Sequence, residues 1–253
     1  MQHISLSLAD GRSRAAVLAL PDPPDPPEAR ARAPGLVPGV IVLHDITGFR
    51  EDTLRHCRRF AAAGYAALAP DLFDGGKPSC VVRTLVSLQK GEGEGLEVIR
   101  VARSVLAAHA GVDADRLGVV GFCMGGGFAL LAAADEAFAV AGPFYGPVPR
   151  DRDRLRGICP TIAQFGAEDL TFRSHSARLR RHLDGLDVPH EVVVHPGAGH
   201  SFMNDHPDPA FALGRFTPLR ARHEPTVEAD AWARLLGFFA EHLGAVPPAD
   251  AVT

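Results

Sequence analysis

Apolar residues fall in short blocks along this chain, and the spacing inside each block predicts its element. Ile4 to Leu8 alternates apolar with polar, as a half-buried strand does, and Asp10-Gly11 is a hairpin turn signal before a returning strand over Ala15 to Leu20. Gly39 to His44 is continuously apolar, the pattern of a parallel strand buried on both faces. Leu54, Cys57, Phe60 and Ala61 recur at helical spacing within Glu51 to Ala63, and Gly64 follows as a stop. Ala66 to Ala69 predicts the next strand, ended by Pro70. Phe73 to Glu94 is irregular by pattern, with a short helix over Val81 to Gln89, and Leu96 to Ala110 predicts a helix closed by Gly111.

The second half continues the alternation. Leu117 to Val120 predicts a buried strand and Phe128 to Ala133 a buried helix. Phe138 to Ala141 reads as a strand that ends in a turn over Gly142 to Gly146. Thr161 to Phe165 and Glu191 to Val194 predict the last two strands, around a basic amphipathic helix over Arg173 to Leu186. Thr226 to Leu243 predicts a C-terminal helix, capped by Thr226, with Trp232, Leu235, Leu236 and Phe239 on its apolar face. Strands alternating with helices predict an α/β fold with a mostly parallel sheet flanked by helices on both faces. In such sheets a site forms at the carboxyl ends of the strands. The proline-rich stretch from Pro21 to Pro38 interrupts the pattern and predicts a surface loop.

Composition narrows the field. At 253 residues, 46% hydrophobic and 22% charged, the chain suits one large globular domain over 1–253. A net charge of −4 offers no basic surplus for nucleic acid, and no apolar run is long enough to span a membrane. The 12 histidines show no zinc spacing, and the four cysteines form neither C-x-x-C pairs nor a dense disulfide framework. These features predict no metal and no cofactor. The absence of an N-terminal basic and apolar leader, together with unpaired cysteines, predicts a cytoplasmic location.

The candidate chemistry centres on Gly121-Phe122-Cys123-Met124-Gly125-Gly126-Gly127, between a predicted strand and a predicted helix. A nucleophile framed as G-x-Nu-x-G in that context is the nucleophile elbow of α/β-hydrolases, here with cysteine in the central place. A thiol nucleophile needs a base, and the base needs an orienting acid. Asp169 and then His200 follow Cys123 in that chain order, each just past a predicted strand. Glu168 is the rival acid and His195 the rival base. The developing oxyanion needs two backbone N–H groups. Met124, after the nucleophile, predicts one, and Ile46 in the loop after the early apolar strand predicts the other.

With these motifs in place the chain resembles the dienelactone hydrolase family of α/β-hydrolases. The likeness runs from about Leu6 to Leu243, on the elbow, Pro70-Asp71-Leu72, Phe144-Tyr145-Gly146, Gly166-x-x-Asp169 and Ala198-Gly199-His200-Ser201-Phe202. The resemblance implies a metal-free Cys–His–Asp triad that cleaves a small ester or lactone through a thioester. It implies a substrate region with Tyr145 and an acidic residue near the resting thiol, a place held here by Asp45. Family members that cleave dienelactone carry arginines for the substrate carboxylate, one of them four residues after the histidine. Asn204 stands there in this chain, and Arg50, Arg83 and Arg173 are other cations in the sequence. The departure implies substrates without a free carboxylate. A non-catalytic scaffold that binds a small ligand is a second class, disfavoured by the complete triad; acyl transfer to an amine or alcohol is a third.

Overall fold

The computed structural model describes residues 1–22, 35–75, 78–206 and 213–244. An N-terminal hairpin, β1 (Gln2–Ser7) and β2 (Ser13–Ala19), is followed by β3 (Val37–Leu43), α1 (Glu51–Ala62) and β4 (Ala66–Pro70). Next come α2 (Pro78–Lys90), α3 (Glu94–Ala107), β5 (Val112–Phe122), α4 (Met124–Asp135) and β6 (Val140–Phe144). The chain closes with β7 (Thr161–Gly166), α5 (Arg173–Asp184), β8 (His190–His195) and α6 (Pro225–Leu243). The eight strands form one sheet in the order β1-β2-β4-β3-β5-β6-β7-β8. The hairpin pairs are antiparallel, and all pairs from β4 to β8 are parallel. No helix among the described residues is long and apolar enough to cross a membrane.

Continuous apolar runs dictate this arrangement. β3, β4, β5 and β6 are buried through their centres, so the sheet needs apolar cover on both faces. On one face, Leu96, Ile99 and Leu106 of α3 and Phe128 and Leu131 of α4 close over Ile41, Leu68 and Val119. On the other, Phe60 of α1 and Trp232, Leu235 and Phe239 of α6 close over Val40, Val42 and Val120. Helix α6 sits close to the sheet: a Cβ at Gly118 would lie 2.8 Å from Phe239, and one at Gly142 would lie 2.6 Å from Leu235. Glu228 of α6 pairs with Arg55 and Arg59 of α1 and with His223.

Four expectations need correction. The turn expected over Gly142 to Gly146 is largely strand, because β6 runs on through Phe144 with Gly142 opposite Val120 and Phe144 opposite Phe122. The Ala141 and Tyr145 amides both donate to the β7 side, to Pro160 and Gln164. Pro143 lies between them on that side, so its missing N–H leaves a gap in the ladder without ending the strand. The short helix expected within Phe73 to Glu94 extends over Pro78–Lys90, and α3 begins already at Glu94. Helix α6 starts with Pro225 at its first turn and Glu224 as N-cap, so Thr226 lies inside the helix. Of the proline-rich stretch, residues 23–34 lie outside the described residues, while Val37 and Pro38 already belong to β3.

Candidate active site

The loops after β3, β5, β6, β7 and β8 bring together the residues singled out by sequence. Cys123 lies between β5 and the first residue of α4, with φ 54° and ψ −115°. That conformation is strained for a residue with a Cβ, and it lifts the side chain out of the strand-to-helix turn. Glycine is obligatory on either side. A Cβ on Gly121 would come within 2.0 Å of the Gly125 carbonyl oxygen, and one on Gly125 within 2.5 Å of the carbonyl oxygens of Leu43 and His44. The Cys123 amide donates to the Phe144 carbonyl at 3.0 Å, and its own carbonyl accepts from Gly126 at 3.0 Å. Cys123 is half-buried, whereas Cys57 and Cys159 are buried and their thiols are pushed up to about 12 by burial.

His200 follows β8 in a buried loop, held by its amide on the Leu219 carbonyl at 2.8 Å and its carbonyl on the Arg222 amide at 3.0 Å. Its Nδ1–H donates to Oδ2 of Asp169 at 2.6 Å. The other oxygen of Asp169 accepts the Thr171 and Phe172 amides at 3.0 Å each, which fixes the carboxylate. Nε2 of His200 is buried without a conventional partner, and the Cys123 thiol stands beside the ring. Burial alone would lower this imidazole; the hydrogen bond to Asp169 and the neighbouring Cys123 outweigh it and hold His200 at about 9. The ring is packed between Tyr145, at 4.8 Å between centroids, and Phe172, at 5.2 Å.

The rivals face elsewhere. Glu168 is exposed and paired with Arg222 at 3.0 Å. His195 meets Gln164 Oε1 at 2.8 Å and lies 3.7 Å from Asp230.

Met124 is the first residue of α4, so its N–H has no helical carbonyl to bond and points out of the helix N-terminus. Asp45 to Gly48 forms a tight turn after β3, closed by the Gly48 amide on the Asp45 carbonyl at 3.1 Å. The Thr47 amide is taken by the Asp45 carboxylate at 2.8 Å. The Ile46 N–H has no hydrogen-bond partner among the described residues, and the Ile46 side chain is exposed.

Asp45, Tyr145 and Asn204 are all buried. Tyr145 lies under His200, in a left-handed backbone conformation with φ 38°. Nδ2 of Asn204 donates to Asp45 at 2.6 Å, and its Oδ1 accepts from Nε2 of His56 at 3.1 Å. His56 is stacked on Phe122 at 4.2 Å, and burial, aided by Arg55, lowers it to about 3, so it is a neutral donor. Nε2 of His206 lies 3.0 Å from Asp45, and its Nδ1 lies 3.4 Å from Asp52. Sequence reasoning singled out neither His56 nor His206; isolated histidines carry no spacing signal, and only the fold collects them. Of the cations, Arg50 binds the Thr47 carbonyl at 2.8 Å and Arg83 lies 3.5 Å from Glu94. Among the described residues no group of three or more His, Cys, Asp or Glu is arranged to hold a metal ion.

A parallel sheet with this strand order, and a strained residue between its central strand and the next helix, defines an α/β-hydrolase. Comparison with known proteins gives the closer relationship. The chain belongs to the dienelactone hydrolase family, whose sequence profile matches residues 28–243. It is 30% identical to a Salmonella typhimurium protein named "putative carboxymethylenebutenolidase", over 93% of this chain and 90% of that protein. It is 30% identical to a Bradyrhizobium protein named "probable 2-oxo-3-(5-oxofuran-2-ylidene)propanoate lactonase", over 85% of this chain and 88% of the relative. A crystal structure titled as a putative dienelactone hydrolase from Klebsiella pneumoniae superposes with a TM-score of 0.73 at 26% identity, over 95% of this chain and 98% of that one. The protein is a dienelactone hydrolase-like ester or lactone hydrolase.

Proposed function

We propose that the protein hydrolyses small esters or lactones that lack a free carboxylate, with Cys123 as nucleophile, His200 as base and Asp169 as its orienting acid. The observation that carries this reading is the buried 2.6 Å Asp169–His200 pair, whose second ring nitrogen lies beside the thiol of a strained Cys123. In the attacking state Nε2 of His200 already holds the proton of the Cys123–His200 pair, which its raised proton affinity favours, and the sulfur adds to the substrate carbonyl carbon. The resulting oxyanion is held by the N–H groups of Met124 and Ile46. Collapse of this adduct expels the alkoxide, which takes the proton from the imidazolium and leaves a thioester on Cys123. Water, deprotonated by His200, then attacks the thioester, and the acid is released with the thiol restored.

The substrate preference rests on Asn204. Its amide is held by Asp45 and His56 and carries no charge, so it offers a substrate carboxylate no charge-assisted bond. A charge-assisted hydrogen bond is worth about 1.5–3 kcal/mol, or roughly 10- to 100-fold in kcat/KM. An uncharged lactone should therefore be turned over faster than a carboxylate-bearing lactone of similar size; a clear preference for the anion would overturn this assignment.

The test of the chemistry is Cys123→Ala. Turnover of p-nitrophenyl acetate should fall by about 10⁴-fold or more with the circular dichroism spectrum unchanged. Acid quench of the wild type during turnover should trap an acetyl adduct on Cys123 by mass spectrometry. A well-folded Cys123→Ala protein with wild-type turnover would remove Cys123 from the mechanism. Products that shift on addition of an amine would indicate acyl transfer.

A further inference from the structure

We propose that Asp45 is a positioning residue for the oxyanion turn, and that it exchanges no proton with Cys123. The inference rests on the catalytic reading above. An ionised carboxylate offers about four lone-pair directions on its two oxygens. At Asp45 one oxygen accepts the Thr47 amide at 2.8 Å and the Thr47 hydroxyl at 2.5 Å. The other accepts the Asn204 amide at 2.6 Å and faces Nε2 of His206 at 3.0 Å. Three hydrogen bonds and the His206 ring at 3.0 Å thus crowd both oxygens and block the approach of an S–H donor. The same contacts make the carboxylate a poor proton acceptor: burial would raise it, but His206 and Thr47 hold it down at about 2. The thiol proton therefore has His200 as its destination.

Those contacts also give Asp45 a different task. Thr47 and Asp45 belong to the turn that presents the Ile46 N–H. Asn204 belongs to the segment that carries His200, and its amide is linked onward to His56 on α1. Asp45 thus ties three elements together at the place where the candidate oxyanion amide must stand a fixed distance from the nucleophile. Loosening the tie should weaken binding of the tetrahedral oxyanion while leaving sulfur and imidazole as they are.

Two reactions of Cys123 separate these roles. Ester hydrolysis needs the oxyanion amides; alkylation by iodoacetamide needs the thiolate and no oxyanion. In Asp45→Asn we expect kcat for p-nitrophenyl acetate to fall roughly 10- to 100-fold, KM to change by less than about 3-fold, and the alkylation rate to stay within about 3-fold of wild type. Thr47→Val removes one hydroxyl from the carboxylate at similar shape. It should show the same split with a loss of about 3- to 10-fold in kcat, so the inference stays open to refutation should Asp45→Asn fail to fold. Alkylation falling in parallel with hydrolysis would show that Asp45 acts on the thiol, and unchanged hydrolysis would show that the tie is idle; either overturns the proposal. Failure of the catalytic reading is distinct: alkylated wild-type enzyme would then retain its hydrolysis.

Discussion

Asp169 and Glu168 are adjacent carboxylates with opposite surroundings. Asp169 is buried against His200 and two backbone amides, and Glu168 is solvated beside Arg222. Asp169→Asn should therefore lower kcat by about 10³- to 10⁴-fold, and Glu168→Gln by less than about 3-fold, when both are assayed on the same ester. The raised imidazole sets the pH dependence. In the proposed mechanism its proton serves the leaving group, so activity should fall along an alkaline limb near pH 9, and Asp169→Asn should move that limb to lower pH. The stability signs follow by linkage. His200, raised from 6.5 to about 9, contributes stability that is complete below about pH 6.5 and lost as pH rises through 9. Asp45, lowered to about 2, contributes stability that is complete above about pH 4 and lost as pH falls towards 2. Thermal melts across pH should show both slopes, and Asp45→Asn should flatten only the acid one. Asn204→Arg should abolish hydrolysis of neutral and anionic substrates alike, because a guanidinium cannot replace the buried amide between Asp45 and His56. The order Cys123, Asp169, His200 was legible because a motif and a chain order define it. The commitment of Asp45 and Asn204 to each other, 159 residues apart, was not, since it exists only once β3 and the loop after β8 are neighbours in space.

At the level of elements, apolar periodicity predicts most strands to within a few residues, because parallel strands buried on both faces cannot be anything but apolar. It mistakes β6, where Gly142 and Pro143 are turn signals by composition. The composition of β6 is set by what covers it. Gly142 leaves room for Leu235, as Gly118 does for Phe239, so α6 can approach the backbone of the sheet. Sequence shows the apolar face of α6 but not the surface prepared for it. Phe239→Ala should cost about 3–5 kcal/mol in urea unfolding, since the ring is fully buried and rigid strands on one side cannot relax into the cavity. A loss under about 1 kcal/mol would mean that the contact matters less than its burial suggests.

Across the whole molecule, the catalytic candidates hang from β3, β5, β7 and β8, and none follows β1, β2 or β4. The sheet has two unlike borders. On the N-terminal side it ends in a hairpin, β1 against β2. On the other it ends in β8, a six-residue strand with Val194 exposed and Glu191 facing solvent. A strand with one unpaired side is a template for another strand, and charge on it discourages that encounter. The same strand leads into the loop of His200, so whatever docks along β8 lies one short connection from the proposed base. We expect Glu191, exposed on this border, to bear on solubility and access together. Glu191→Val should raise concentration-dependent light scattering, and where chains stack along this border, hydrolysis per molecule should fall with protein concentration in the variant while the wild type stays constant.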